Sequence, residues 1–287
     1  MTDDPFVSHR GLLFTVAYEM LGSAGDAEDV VQETWLRWAN VDQSEVRDPR
    51  AYLVRIVTRQ ALNRLRTVSR LPEDYVGAWL PEPLLTSPDM AEDAELAVNV
   101  SIAMLTVLET LGPAERAVFV LHEVFETPYD EIAEIVGKTP AAVRQIAHRA
   151  REHVAARQPR MQVDRAQQEA TLEKFMAAIT SGEVQGLVEV LAPDVVLIAD
   201  GGGLVRAARK PLTGAATVVA FLARVADLSE LVATTAWLNG MPGARFDVGG
   251  DVTAVSLVIE DDWITRIYAV RNPNKLGRLE EVAELRQ

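Results

Sequence analysis

The apolar residues of this chain change their period partway along it, and that change limits what it can fold into. Through about residue 160 they recur at steps of three and four, as on one face of a helix. In "DAEDVVQETWLRWAN" the steps put Ala27, Val30, Val31, Thr34, Trp35 and Trp38 on a single expected buried stripe. After one more amphipathic helix (Leu172, Phe175, Met176, Ile179) and a short helical piece to Leu191, the pattern becomes that of strands. "DVVLIAD", "ELVATTAWLNG", "DVTAVSLVIE" and "DWITRIYAVR" are apolar, β-branched runs between glycine or acidic turns, with the helix "TGAATVVAFLARVA" inserted. The expected architecture is multidomain: an all-α part, then an α+β domain whose curved sheet wraps over helices.

Charge divides the helical part again. The 287 residues carry 42 acids against 28 basic residues, a net charge of -14. Yet Arg47 to Arg70 holds seven arginines and only Asp48 as an acid, and Arg144 to Arg160 holds five arginines and only Glu152. Residues 71–115, between them, have nine acids and no Lys or Arg. Fields act over a Debye length of about 8 Å, so these islands matter more than the total. Four prolines in "LPEDYVGAWLPEPLLTSPDMAEDAE" break every helical pattern and mark an acidic, extended linker.

Running into the second island, "DEIAEIVGKTPAAVRQIAHRA" places Ala133, Gly137 and Val143 as the small residue, turn glycine and inter-helix contact of a helix-turn-helix. Val143, Ile146 or Ala147, Ala150 and Val154 form the expected buried side of its second helix. Thr139, Ala141, Ala142, Arg144, Gln145, His148, Arg149 and Arg151 crowd the side a recognition helix turns to base edges. Arg grips guanine and Gln adenine bidentately, each worth about 1–3 kcal/mol of discrimination. In the first island, "PRAYLVRIVTRQALNRLRTVSR" makes a long helix with Val54, Val57, Ala61 and Leu65 toward the core. Tyr52, Arg55, Arg59, Asn63 and Arg66 recur on another stripe. Arginine and tyrosine planes together suit unpaired bases, which stack on them.

Several classes are excluded. With no cysteine there are no disulfides and no thiolate-ligated metal, and four scattered histidines leave no histidine-rich metal site. The acidic opening "MTDDPFVSHR" lacks a signal-peptide pattern, and no apolar run reaches the roughly 20 residues of a membrane helix. The expectation is a soluble, cytoplasmic protein without cofactor, metal or membrane partner.

The stretches "GDAEDVVQETWLRWA" and "DPRAYLVRIVTRQALNRLR" resemble domain 2 of bacterial extracytoplasmic-function sigma factors. "GPAERAVFVLHEVFETPYDEIAEIVGKTPAAVRQIAHRARE" resembles their domain 4, and residues 164–287 resemble a SnoaL-like domain of the NTF2-like fold. "YVGAWLPEPL", "DGGG" and "NPNKL" are similar to marks of a group in which the two are fused. The resemblance implies sigma domain 2 over 1–70, a linker over 71–95, sigma domain 4 over 96–160 and a regulatory domain over 161–287. It implies binding to core RNA polymerase, at the β′ clamp and β subunit, with Asp26, Asp29, Gln32 and Glu33 at the clamp. It implies −10 DNA capture by Arg47, Arg50, Tyr52, Arg55, Arg59, Asn63 and Arg66, and entry of the second helix of domain 4 into the −35 groove. The linker would thread the polymerase channel. The chain departs from the family at Asn63, where an acid is expected, at Leu204, often lysine, and at Asn274, commonly aspartate.

For the C-terminal domain, the implied role is regulation in cis through Asp200, Gly201, Gly202 and Gly203 and the tail residues Asn272, Pro273, Asn274, Lys275 and Leu276, with no separate anti-sigma factor required. Three consecutive glycines allow close backbone approach. The alternative is a helix-turn-helix regulator whose NTF2-like domain senses or processes a small ligand, with Asp200 or Asp247 as base and Trp237, Phe246 and Tyr268 as walls. No catalytic residue is expected on the first reading.

Overall fold

In the computed structural model the described residues are 4–68, 75–158, 164–226 and 230–286. Arg70, the first four linker residues and Arg160 fall outside them. Contacts divide the chain into two units, one of Met1–Glu73, Met104–Gln158 and Glu284–Gln287, the other of Asp74–Ala103 and Pro159–Ala283.

The first unit is helical. Helix α1 (Pro5–Leu21) is apolar on nearly every side and fully buries Leu13, Val16, Ala17, Tyr18 and Met20. Asp4 caps it by accepting from the Phe6 N–H at 2.9 Å and also takes the Trp38 indole N–H at 3.1 Å. Helix α2 (Ala24–Trp38) is capped by Ser23, which accepts from the Asp26 N–H at 3.2 Å. Helix α3 (Pro49–Val68) completes the group, burying Leu53, Val57, Ala61 and Leu62. Leu65, expected in the core, is only half-buried. Trp35 also departs from the expected stripe: it is 44% exposed, because Val31, Thr34 and Trp38 already fill the contact and Trp35 lies a quarter-turn beyond it.

The chain then passes α4 (Ala94–Val100), which belongs to the second unit, and enters the first within α5 (Ile102–Leu108), going on to α6 (Pro113–Phe119), which loosens into a π turn over Val120–Val124. Helices α7 (Tyr129–Val136) and α8 (Pro140–Ala155) form the helix-turn-helix. Gly137 takes φ 71° and donates to the Ala133 carbonyl at 3.0 Å. The space around it is open, so backbone conformation alone calls for glycine. Thr139 caps α8, and Val143, Ile146, Ala147, Ala150 and Val154 are its buried side, as their spacing predicts. The C-terminal residues return to this unit, the Arg286 N–H donating to Thr15 Oγ1 at 2.9 Å.

The second unit is α+β. Helices α9 (Arg165–Ser181), α10 (Val184–Val190) and α11 (Ala215–Ala226) accompany six strands: β1 (Leu191–Asp200), β2 (Leu212–Thr213), β3 (Leu231–Leu238), β4 (Met241–Val248), β5 (Asp251–Glu260) and β6 (Trp263–Val270). The sheet order is β2-β1-β6-β5-β4-β3, with β1 and β6 parallel and every other pair antiparallel. Strand alternation sorts the two faces. Val255, Leu257, Ile267 and Ala269 face the helices, while Val258, Tyr268 and Val270 face the other way and pack with Leu80, Ile102 and Ala103. The linker, read from sequence as a flexible acidic strand, is thus the cover of a sheet. Its apolar residues explain this: Leu80 and Leu84 are fully buried, each worth about 1.5–3 kcal/mol against exposure.

One buried charge in the helical unit stands out. Glu19 is 0% exposed and both carboxylate oxygens lack a hydrogen-bond partner, although Arg116, also buried, donates from Nε to the Glu19 backbone carbonyl at 3.1 Å and pairs with Glu109. Burial pushes the Glu19 carboxyl from 4.5 up to about 8, with the Arg116 charge partly opposing it. The folded chain therefore holds a proton that the unfolded chain releases near pH 4.5, so stability falls as pH rises from about 4.5 to 8 and levels off above. Denaturant unfolding at pH 5 and pH 8 should show a loss on the order of 3 kcal/mol, and Glu19→Gln should remove most of that difference.

Candidate nucleic-acid and polymerase surfaces

On α2, Asp29, Gln32 and Glu33 are exposed together with Trp35 and Leu36, a mixed polar and apolar face. Asp26 is drawn aside: Arg64 donates to its Oδ1 through Nε at 3.1 Å and Nη2 at 2.5 Å, and stands 3.8 Å from Asp29. Hydrogen bonding and the charge of Asp26 raise the Arg64 pKa further. Gln60 donates to Glu33 at 2.5 Å.

The arginine stripe of α3 does not face open solvent along its whole length. Arg47, Arg50, Tyr52 and Arg55 line a cleft of about 670 Å³ whose other wall is Phe125 to Ile135, including Glu126, Glu131 and Glu134. The Arg59 guanidinium donates to the Glu134 carbonyl at 2.7 Å, and Arg55 stands 4.0 Å from the Glu134 carboxylate. Tyr52 lies between Trp38, 5.9 Å away between ring centroids, and the Arg55 guanidinium, 5.3 Å over its ring. Asn63 and Arg66 are exposed farther along and do not line the cleft.

On α8, Ala141, Arg144, Gln145, His148 and Arg149 are exposed, with Ala142 half-buried and Thr139 occupied as the cap. Two of the arginines lean on acids of the same unit, Arg149 toward Glu115 at 3.8 Å and Arg151 toward Glu123 at 3.7 Å, and His148 stands 3.6 Å from Glu152. Proline at the first helical position and a threonine cap set the N-terminal turn of α8, from which Arg144 and Gln145 project.

The loop and tail residues meet on Asp200. Its carboxylate, fully buried at the end of β1, accepts from Lys275 Nζ at 2.8 Å and the Leu80 N–H at 2.9 Å on one oxygen. The other oxygen accepts from the Tyr75 hydroxyl at 2.5 Å and the Gly202 N–H at 3.0 Å. Lys275 Nζ also donates to the Leu80 carbonyl at 2.6 Å and lies 4.0 Å over the Trp79 ring. Asn272 donates to the Tyr75 oxygen at 3.0 Å. Burial, and then the bond to Asp200, raises the Tyr75 pKa, so the hydroxyl stays a donor. The glycines are needed: a side chain on Gly202, at φ 58°, would overlap the Asn272 amide, and one on Gly201 would stand 2.5 Å from the Val205 carbonyl. Leu204 is 61% exposed, and Asn274 donates its N–H to Asn272 Oδ1 at 3.1 Å.

A second anchor escaped the sequence reading. Asn239, fully buried in the β3–β4 turn, accepts from the Leu84 N–H at 2.9 Å, returns its own N–H to the Leu84 carbonyl at 2.9 Å and donates to the Val100 carbonyl at 2.9 Å. Thr86 pairs with Trp237 and Gly240 beside it. The glycine ending "ELVATTAWLNG" marked a turn; that the Asn239 side chain holds the linker could not be read from spacing.

The alternative arrangement, with Asp200 or Asp247 as a base, is not assembled. Asp200 belongs to the clamp, and Asp247 accepts from the Gly250 N–H at 2.9 Å in its hairpin. Of the proposed walls only Phe246 lines the cavity of this domain; Trp237 lies under Arg165 and Tyr268 under the linker. Among the described residues no cluster of acids and histidines could hold a metal. No described helix is long and apolar enough to cross a membrane.

Comparison with known proteins agrees with this geometry. Residues 6–71 match the Sigma-70 region 2 family and residues 101–154 match Sigma-70 region 4. The ECF RNA polymerase sigma factor SigJ of Mycobacterium tuberculosis is 35% identical, over 94% of this chain and 91% of its own length. The probable ECF sigma factor SigI of that organism is 33% identical over 95% and 93%. The crystal structure of SigJ superposes with a TM-score of 0.76 at 32% identity, covering 94% of this chain and 96% of that one. Two sigma regions in order, a helix-turn-helix with an exposed basic face, and whole-length similarity to such proteins lead to one assignment: the chain belongs to the extracytoplasmic-function RNA polymerase sigma factors.

Proposed function

We propose that this sigma factor, which as a family member binds core RNA polymerase and promoter DNA and directs transcription initiation, is regulated in cis by its C-terminal domain. The carrying observation is the clamp on Asp200. The segment joining region 2 to region 4 is fastened to that domain at Tyr75, Leu80, Leu84 and Thr86. Any role of this segment in the polymerase channel requires its release, so the clamp sets a threshold for activity. A built-in threshold of this kind makes a separate anti-sigma factor unnecessary.

In this reading the exposed face of Asp29, Gln32 and Glu33, extended by Trp35 and Leu36, docks on the β′ clamp, with Asp26 steadied by Arg64. Tyr52, Arg55 and Arg59, with Arg47 and Arg50 beside them and Asn63 and Arg66 beyond, hold the unpaired −10 strand. Arg144, Gln145, His148 and Arg149 read the −35 groove. The acids Glu131 and Glu134 oppose the −10 arginines, which supports weak binding to DNA by the chain alone; beside the polymerase, the wider basic surface offsets the net charge of -14.

Three outcomes test this reading. Lys275→Met, which leaves Asp200 buried without its cation, should cost about 3–5 kcal/mol of stability in the C-terminal unit and change transcription by holoenzyme at a selected promoter several-fold. Unaltered transcripts from it and from an Asp200→Asn chain contradict the cis role. Arg144→Ala should weaken −35 binding by about 1–3 kcal/mol and relax its base preference while leaving core-polymerase affinity intact. Glu134→Gln should raise the affinity of the isolated chain for single-stranded −10 oligonucleotides a few-fold, with a steeper salt dependence.

A further inference from the structure

The C-terminal domain encloses a cavity that the sigma-factor role does not use. It measures about 80 Å³ and lies between α9, α11 and the sheet, lined by Phe175, Ile179, Phe221, Phe246, Val255 and Ile267 among others, all apolar. Among the described residues Thr253 and Arg271 are the only polar ones in its wall. Strand alternation explains why an arginine is there: Ile267 and Ala269 face the helices, and Arg271, two residues on, keeps their side of the chain, while Tyr268 and Val270 turn to the linker. The Arg271 Nε is buried and makes no hydrogen bond, and its Nη1 donates to the Arg206 carbonyl at 2.5 Å. Among the described residues no carboxylate pairs with it.

Leaving a buried N–H of a cationic group without an acceptor is costly, and the planar guanidinium edge is matched by two carboxylate oxygens. The remaining wall is hydrocarbon. Among the described residues no Asp, Glu, His or Lys lines it, so none of them supplies a group to move a proton. We propose that this cavity binds a small apolar monocarboxylate, its carboxylate on Arg271 and its hydrocarbon body among Phe175, Phe221 and Phe246. Size limits the body to a few carbons, since a cavity of about 150 Å³ is filled by benzene.

The site is joined to the clamp. The N–H groups of Arg271 and Asn272 both donate to the Asp200 carbonyl, at 2.7 and 3.0 Å, and Ala199 and Ala207 line the cavity on either side of the glycine loop. A carboxylate that takes over the guanidinium competes with the Arg206 carbonyl and loosens that loop. This coupling rests on the cis-regulation reading; the binding does not.

The test is calorimetric titration of the full chain with propionate and isobutyrate, with propionamide and 1-propanol as uncharged analogues and benzoate as an oversized acid. The acids are expected to bind with a Kd of about 1 mM or tighter, at least about tenfold ahead of the uncharged analogues and of benzoate. Arg271→Met should abolish that preference, and Arg271→Lys should retain part of it. Should Arg271→Met fail to fold, methyl shifts of Ile267 and Ala269 in the native chain give a second readout, moving with propionate and not with propionamide. Equal binding of propionate and propionamide, or acid binding that leaves those methyls unmoved, overturns the site. Faster amide exchange at Gly202 with propionate bound is the expected sign of coupling, and unchanged exchange overturns the coupling alone.

Discussion

A buried ion pair, Lys275 Nζ to Asp200 Oδ2 at 2.8 Å, is the interaction on which the organisation of the second unit depends. Two charges removed from water are tolerable only when the lone pairs and protons around them are also used. Here they are: the aspartate accepts four donors, and the lysine has a carbonyl and a tryptophan face besides its carboxylate. Apart from the pair itself, every one of those partners but Gly202 comes from the segment between Tyr75 and Leu80. The pair is therefore complete only when the linker lies on the sheet, and the linker is fixed only where the pair is complete. That mutual dependence turns a connecting stretch into part of a domain.

The same economy of charge governs the helical unit. Its arginines are gathered where nucleic acid is to be met, and in the chain by itself the nearest acids face some of them, Glu134 against Arg55 and Glu115 against Arg149. Such exposed pairs are worth at most about 1 kcal/mol each, enough to discourage stray contacts and little enough to yield to a polyanion beside the polymerase surface. Overall acidity and local basicity are then parts of one device.

What could be read from the amino acids alone follows from the range of the forces involved. The helix-turn-helix was legible because its determinants are local: Gly137 for the turn and Val143 to Val154 for a buried stripe. The arginine islands were legible because charge survives any fold. Trp35 was misplaced because a stripe drawn at three- and four-residue steps has soft edges, and only packing decides which side of the edge a large ring takes. The glycine loop and the "NPNKL" tail stood out through family resemblance. Their meeting on Tyr75 and Leu80, more than a hundred residues away in sequence, and the hold of Asn239 on Leu84 and Val100, depend on sheet register, which no short window carries. Arg271 was passed over for a similar reason: its side of the chain is set by Ile267 and Ala269, but its solitude appears only once the cavity walls are in place.

The central claim is that the segment between regions 2 and 4 is a structural element of the C-terminal domain. Amide hydrogen exchange at Leu80 and Leu84 in the full-length protein tests it directly, since their N–H groups are the donors to Asp200 and Asn239. Both should be protected comparably to the central strands β5 and β6. Exchange at the rate of an unstructured peptide, with those strands still protected, would contradict it.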